Sequence, residues 1–226
     1  MKAIPFLLAL TLASAGATAE TRPVVVELFT SQGCSSCPPA DKLLGELAKR
    51  SDVIALGFHI TYWDNTAWRD PLSLTPSTER QEAYDRHLTG GQVYTPQMVI
   101  DGTTDVIGSH RAAVLAAIAA AKPVAAAPVS FAPDRRSVMI DAGSAAQSGT
   151  VLLARYALSR TTHIGGGENT GRTATDFNGV EHLETLGKWD GKTVSYPIDP
   201  PATGEGLAVL VQASDGAILG AAAISN

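Results

Sequence analysis

The stretch Val24-Val25-Val26-Glu27-Leu28-Phe29-Thr30-Ser31-Gln32-Gly33-Cys34-Ser35-Ser36-Cys37-Pro38-Pro39-Ala40-Asp41 decides how this chain is read. Val24 to Phe29 is apolar apart from Glu27, the pattern of a strand buried on both faces. Two cysteines three residues apart then stand between that strand and a helix at Pro39 to Arg50, which gathers Leu43, Leu44, Leu47 and Ala48 on one face. Pro38 and Pro39 mark the helix start, because proline is tolerated in a first turn and not beyond it. Cysteines on a first helical turn can close a reversible disulfide, and the partial positive charge there favours thiolate over thiol. On this reading Cys34 is the exposed nucleophile. Cys37, one turn further in, resolves the mixed disulfide.

Further along, Val53 to Ile60 reads as a second buried strand and Ser77 to Leu88 as a helix capped by Ser77. Gln97 to Asp101 and Thr104 to Ile107 are spaced like a hairpin around Gly102, and His110 to Ala121 is an alanine-rich helix. Lys122 to Pro128 holds two prolines among small residues and reads as a linker. Beyond it, Ser137 to Asp141, Val151 to Leu158, Lys192 to Ile198, Leu207 to Ala213 and Ala217 to Ile224 look like strands with no long helix among them. The expected organisation is an α/β domain over 20–121, the linker 122–128, and a small all-β, sandwich-like domain over 129–226.

The N-terminus carries its own signal. Lys2 precedes an apolar run, Ile4 to Ala13, and Ala17-Thr18-Ala19 reads as a small-x-small cleavage site before Glu20. The run is far short of the roughly 20 apolar residues that cross a bilayer. Residues 1–19 are therefore expected to be a signal peptide, leaving a periplasmic or secreted chain without stable membrane insertion. Disulfides persist in that compartment. Of the 226 residues, 45% are apolar and 17% charged, with a net charge of −5. A real core is available, and no basic run offers a footprint for nucleic acid. Two cysteines build neither a disulfide scaffold nor a four-cysteine zinc site. His87, His110, His163 and His182 lack metal-ligand spacing, so no metal and no cofactor are expected.

Thr95-Pro96 stands directly before the third strand, where a proline has no N–H to give to a ladder. In this order of elements that position is expected to be a cis-proline loop facing the cysteines, with the Thr95 backbone free to pair with an extended substrate. If the first two strands are parallel, the cysteines and His59 to Asp64 emerge at one edge of the sheet. His59 and Asp64 then become candidates for taking the Cys37 proton. The candidate catalytic set is Cys34, Cys37, Thr95, Pro96, Asp64 and His59. Gly165-Gly166-Gly167-Glu168-Asn169 lacks the strand–turn–helix context of a phosphate loop and reads as a flexible loop that could lie over the cysteines as a lid.

With these residues in view, Val24 to Ala121 resembles a thioredoxin-fold domain. The whole chain after the leader resembles the exported bacterial DUF1223 family, through Glu27 to Asp41, His59-x-x-Tyr62-Trp63-Asp64 with Trp68 and Asp70, Arg80-Gln81 with Tyr84 and Tyr94-Thr95-Pro96-Gln97, and Gly167-Glu168-Asn169-x-Gly171-Arg172. Thr61 stands where the family pattern has an aspartate and Glu181 where it has an arginine. The family resemblance implies a fold and no established reaction; with the cysteine pair it supports, as the leading expectation, a thiol–disulfide oxidoreductase of the cell envelope, with protein or small thiol and disulfide substrates. Two other readings stay open. One is a binding protein with a structural disulfide. The other is a Cu(I)-binding C-x-x-C aided by Met98, since soft thiolates suit that ion.

Overall fold

In a computed structural model of the chain, the residues described are 21–65, 67–123, 125–143 and 147–226. The expected leader, 1–19, lies outside them. Strand β1 (Val24–Thr30) is buried at all seven positions and runs parallel to β2 (Val53–His59), from Val24 opposite Val53 to Thr30 opposite His59. Helix α1 (Pro38–Leu47) makes the crossover. On the other side of β1 lies antiparallel β3 (Gln97–Ile100), which turns through Asp101-Gly102, both at positive φ, into β4 (Thr104–Ile107). Helix α2 (Thr75–Leu88) precedes this hairpin and α3 (Arg111–Ala120) follows it.

Burial on both faces explains the continuous apolar runs. Val25 and Phe29 of β1 join Leu56 and Phe58 of β2 in a cluster with Tyr84 of α2. Val24, Val26 and Leu28 face the opposite way, onto Leu43, Leu44 and Leu47 of α1 and Val114 and Ile118 of α3. Glu27 is tolerated inside because Arg80 of α2 reaches it with two hydrogen bonds, 2.8 and 2.7 Å, while Tyr84 and Gln212 hold the rest of the guanidinium. Helix α2 begins two residues earlier than its sequence suggests, with Leu74 at the cap position and a proline in the first turn. Ser77 is therefore inside the helix and buried, and it caps nothing. Pro76 supplies the physical reason, since its fixed φ suits that first turn.

The second half is all β. Strands β5 (Val129–Phe131), β6 (Ser137–Ile140) and β9 (Val194–Pro197) form a three-stranded antiparallel sheet. It packs Val138 and Ile140 onto Val151 and Leu153 of β7 (Gly149–His163) and Leu207, Val209 and Val211 of β10 (Glu205–Gln212), a sandwich-like arrangement. Yet β7, β8 (Thr173–Trp189), β10 and β11 (Ile218–Ser225) belong to the same eight-stranded mixed sheet as β1 to β4, in the order β11-β10-β7-β8-β2-β1-β3-β4. The four strands before the segment 122–128 and four of those after it thus share one sheet. Strand β8 makes the junction: it meets β2 in parallel at Gly179 and Gly57, and Asn178 fills the sparse ladder by donating its amide to the Ala55 carbonyl, 2.9 Å. Phe177 packs where a Cβ on Gly45 of α1 would collide with its ring.

Candidate functional site

The site starts where β1 ends. After Thr30 the chain turns at once, Cys34 N–H donating to Ser31 O (3.1 Å) and Cys37 N–H to Cys34 O (3.3 Å). Cys34 and Cys37 are joined in a disulfide, with their Cα atoms 5.5 Å apart. Cys37 is the cap of α1, and its carbonyl accepts from Ala40 N–H and Asp41 N–H. Cys34 therefore sits in the turn before the helix and not on its first turn. Two successive prolines dictate this, because they fit only the opening positions of a helix. A second correction concerns exposure: both cysteines are 0% exposed. Cys34 is not the open member of the pair, because other elements close over it.

One of those elements is the bend before β3. The Thr95-Pro96 peptide is cis. Thr95 Oγ1 lies 3.4 Å from Cys34 Sγ and accepts the indole N–H of Trp63 at 2.7 Å. Ser36 Oγ is 3.3 Å from Cys34 Sγ and 3.4 Å from Thr95 O. Trp63 comes from the loop after β2 and packs so closely on the cysteine turn that a Cβ on Gly33 would stand 3.3 Å from Trp63 Cβ. The glycine-rich loop after β7 closes the other side. Asn169 donates its amide to Gln32 O and Cys34 O, both at 2.9 Å, and Gly166 approaches Ala67 O too closely for any side chain.

Beneath the turn lies a buried set of charges. His59 Nδ1 is 2.7 Å from Asp70 Oδ2 and its Nε2 is 3.9 Å from Asp176 Oδ1. Gln32 ties the set to the cysteine turn, its backbone N–H donating to Asp70 and its side-chain amide to Asp176, each at 2.7 Å. Asp41, one turn of α1 beyond Cys37, accepts from Thr30 Oγ1 at 2.7 Å. Burial opposes a charged imidazole, but the hydrogen bond and charge of Asp70, with Asp176 and Asp41, outweigh it and push His59 up to about 9. Burial lifts the carboxyl of Asp41 to about 7 and raises that of Asp176. Asp70 resists the same burial through its hydrogen bonds to His59, Gln32 and Leu72, and stays below the usual range.

The matching family, over residues 25–212, is described as "Protein of unknown function (DUF1223)". The chain belongs to the DUF1223 family. A solved structure, protein AGR_C_4864 from Agrobacterium tumefaciens, is 32% identical to this DUF1223 chain, with 92% of this chain and 96% of that one covered and a TM-score of 0.77. A second, HBP35 of Porphyromonas gingivalis, shares the fold at 14% identity, with a TM-score of 0.56 over 91% of this chain and 75% of that one. Among curated proteins no match is found.

In the DUF1223 chain the four sequence blocks meet at this one place, but the six candidate residues do not all take part. Cys34, Cys37 and Thr95 are together, with Pro96 in the bend that delivers Thr95. His59 is near them beneath the turn, with both its nitrogens facing carboxylates, Nδ1 toward Asp70 and Nε2 toward Asp176. Asp64 is elsewhere: it accepts from Asp70 N–H (3.1 Å) and Ser73 Oγ (2.6 Å), fixing the loop after β2. Met98 is fully buried in the cluster that holds Leu28, Ala40 and Val114. No cluster of three or more His, Cys, Asp or Glu side chains suited to a metal occurs among the described residues. Gln32, Asp41, Asp70 and Asn169 stand in the quoted sequence blocks but were not among the candidate catalytic residues, and Asp176 was in neither. Asp41 carried a further signal in its spacing of four residues from Cys37, and Asn169 in its place at the end of the glycine-rich loop.

Proposed function

We propose that this protein is a thiol–disulfide oxidoreductase of the cell envelope, with a thioredoxin-like arrangement of β1, α1, β2 and the β3–β4 hairpin. The observation that carries the reading is the Thr95 hydroxyl, held 3.4 Å from Cys34 Sγ beside the carboxyl end of parallel strand β1. A disulfide that merely ties the chain needs no such neighbour. Tyr62 and Val93 flank the bend and are among the few large apolar side chains left exposed, as an extended polypeptide partner would use. Small thiols and disulfides are the other substrate class.

The chemistry runs through both sulfurs. With the pair reduced, Cys34 thiolate attacks one sulfur of a substrate disulfide, forming a mixed disulfide and releasing the other sulfur as a thiolate. Cys37 then gives its proton to a base and attacks Cys34 Sγ. This closes the Cys34–Cys37 bond and frees the second substrate thiolate, so two electrons have passed from the pair to the substrate. The reverse sequence oxidises a substrate dithiol. Asp41, with a pKa of about 7, suits the proton-accepting role.

A structural bridge is the second reading, and the complete burial of both sulfurs favours it. Replacing Cys37 with serine distinguishes the two. Exchange predicts that the Cys37→Ser chain accumulates mixed disulfides through Cys34 when challenged with a disulfide-scrambled protein or oxidised glutathione, visible by mass. A Cys34 that stays free under that challenge contradicts the reading.

A further inference from the structure

Trp63 touches neither sulfur, yet it determines what the nearest hydroxyl does. An indole N–H donates and never accepts, whereas a threonine hydroxyl has one hydrogen and two acceptor sites. Trp63 Nε1 is 2.7 Å from Thr95 Oγ1, so the indole fills one of those acceptor sites. The single hydroxyl hydrogen is then left for Cys34 Sγ, 3.4 Å away. We propose that Trp63 is a positioning residue: by donating to Thr95 Oγ1 it fixes the Thr95 hydroxyl as a donor to Cys34, so that reduced Cys34 carries its negative charge against a ready-made hydrogen bond.

This deepens the exchange reading and rests on it for its purpose, but not for its test. The hydrogen bond is worth more to a thiolate than to a thiol or a disulfide sulfur, because bonds to ionised acceptors are the stronger ones. It therefore selects the ionised form and lowers the Cys34 pKa below the free value of about 8.5. Tyr62 Oη is the other acceptor within reach of the Thr95 hydroxyl, and a neutral phenol accepts more weakly than a thiolate, so ionised Cys34 takes the hydrogen. Tyr62, beside Thr95, gives its own proton to Gln81 Oε1 at 3.2 Å and is pushed up to about 12 by burial, so it stays neutral. Ser36 reaches Cys34 Sγ as a separate group. The charges of Asp41, His59, Asp70 and Asp176 pair among themselves, and none of them makes a hydrogen bond to the Thr95 hydroxyl. All of these remain in place when Trp63 or Thr95 is replaced.

The test is the pH profile of Cys34 alkylation in the reduced protein, located by peptide mass. Trp63→Phe keeps the ring and removes the donor; Thr95→Val keeps the shape and removes the hydroxyl. Each is expected to raise the Cys34 pKa by about one unit. The double variant should go no higher than Thr95→Val alone, and Thr95→Ser should hold the wild-type value. A Trp63→Phe profile that superimposes on wild type overturns the proposal. Should Trp63→Phe fail to fold, a measurement on Thr95→Val decides. The Trp63 indole proton, labelled with nitrogen-15, should be slow to exchange in wild type and at least ten-fold faster in Thr95→Val. No change there also overturns it. The thiol pKa is readable whatever the protein's substrate. A shifted profile with no mixed disulfide in the Cys37→Ser trap therefore leaves Trp63 in its role and removes the exchange reading alone.

Discussion

Burial sets the protonation of Asp41, and the sign of its effect follows from linkage. Its carboxyl rises from an ordinary 3.8 to about 7 in the folded chain, so the folded state binds that proton more tightly than the unfolded one. The resulting stability is fully present below about pH 4 and is lost as the pH rises through about 7. Asp41→Asn lacks this loss. Between pH 5 and pH 8 the wild-type protein should lose about 2–3 kcal/mol more stability than the variant, measured by denaturant midpoints at the two pH values. The same change should flatten the rise of the resolving step through pH 7 in stopped-flow exchange. His59 runs in the same direction at higher pH, since its pair with Asp70 is strongest while the imidazole is charged and fades as pH passes about 9. None of this was legible from residue types. His59 and Asp64 look like the acid–base pair because they follow a strand end, but their roles depend on what surrounds them. Asp70 and Asp176 meet His59 only through the fold, and a buried carboxylate leaves no mark in a sequence that sets it apart from a surface one.

At the scale of elements, closure over the disulfide comes from two loops, and Asn169 is the pin of one of them. Its amide makes the bonds to Gln32 O and Cys34 O that hold the glycine-rich loop against the cysteine turn. Asn169→Ala removes both, together worth about 1.5 kcal/mol net. Local opening should become roughly ten-fold more frequent while the rest of the fold stays put. The expected result is disulfide reduction by a phosphine about ten-fold faster than in wild type, with the thermal midpoint shifted by only a few degrees. An unchanged rate would show that the loop does not gate access. The elements themselves were unevenly readable. β1, α1 and β2 announce themselves because strands buried on both faces must be continuously apolar and two prolines must open a helix. β8 was missed altogether. Its stretch Thr173 to Trp189 mixes Thr, Asp, Asn, Glu and His with Gly179 and Gly187, since much of one face is exposed and its order comes from pairing along the whole of β7.

At the scale of the whole molecule, the missed strand changes the organisation that the linker suggests. Pro123 and Pro128 do break the pattern, but the core does not break with it. Phe29, Phe58 and Tyr84 share one cluster with Ala154, Tyr156, Val180, Leu210 and Ile218, and Arg22 reaches across to Ile218 O at 2.6 Å. A fragment of residues 20–122 would expose that face and lose the pairing of β2 with β8. It should show no cooperative thermal transition, whereas the chain from residue 20 onward should unfold in one step by both circular dichroism and tryptophan fluorescence. A fragment that melts cooperatively on its own would mean that the first half carries a sufficient core.

The whole arrangement of strand end, cis bend, buried charges and closing loops has its proposed purpose in a disulfide that changes state. The reduction potential of the Cys34–Cys37 pair tests that directly, by thiol trapping of the purified protein equilibrated in graded glutathione or dithiothreitol buffers. The account expects a potential between about −120 and −270 mV, the span of exchange catalysts. A potential below about −300 mV, where bridges in secreted proteins resist reduction, would contradict it and make the disulfide a structural tie.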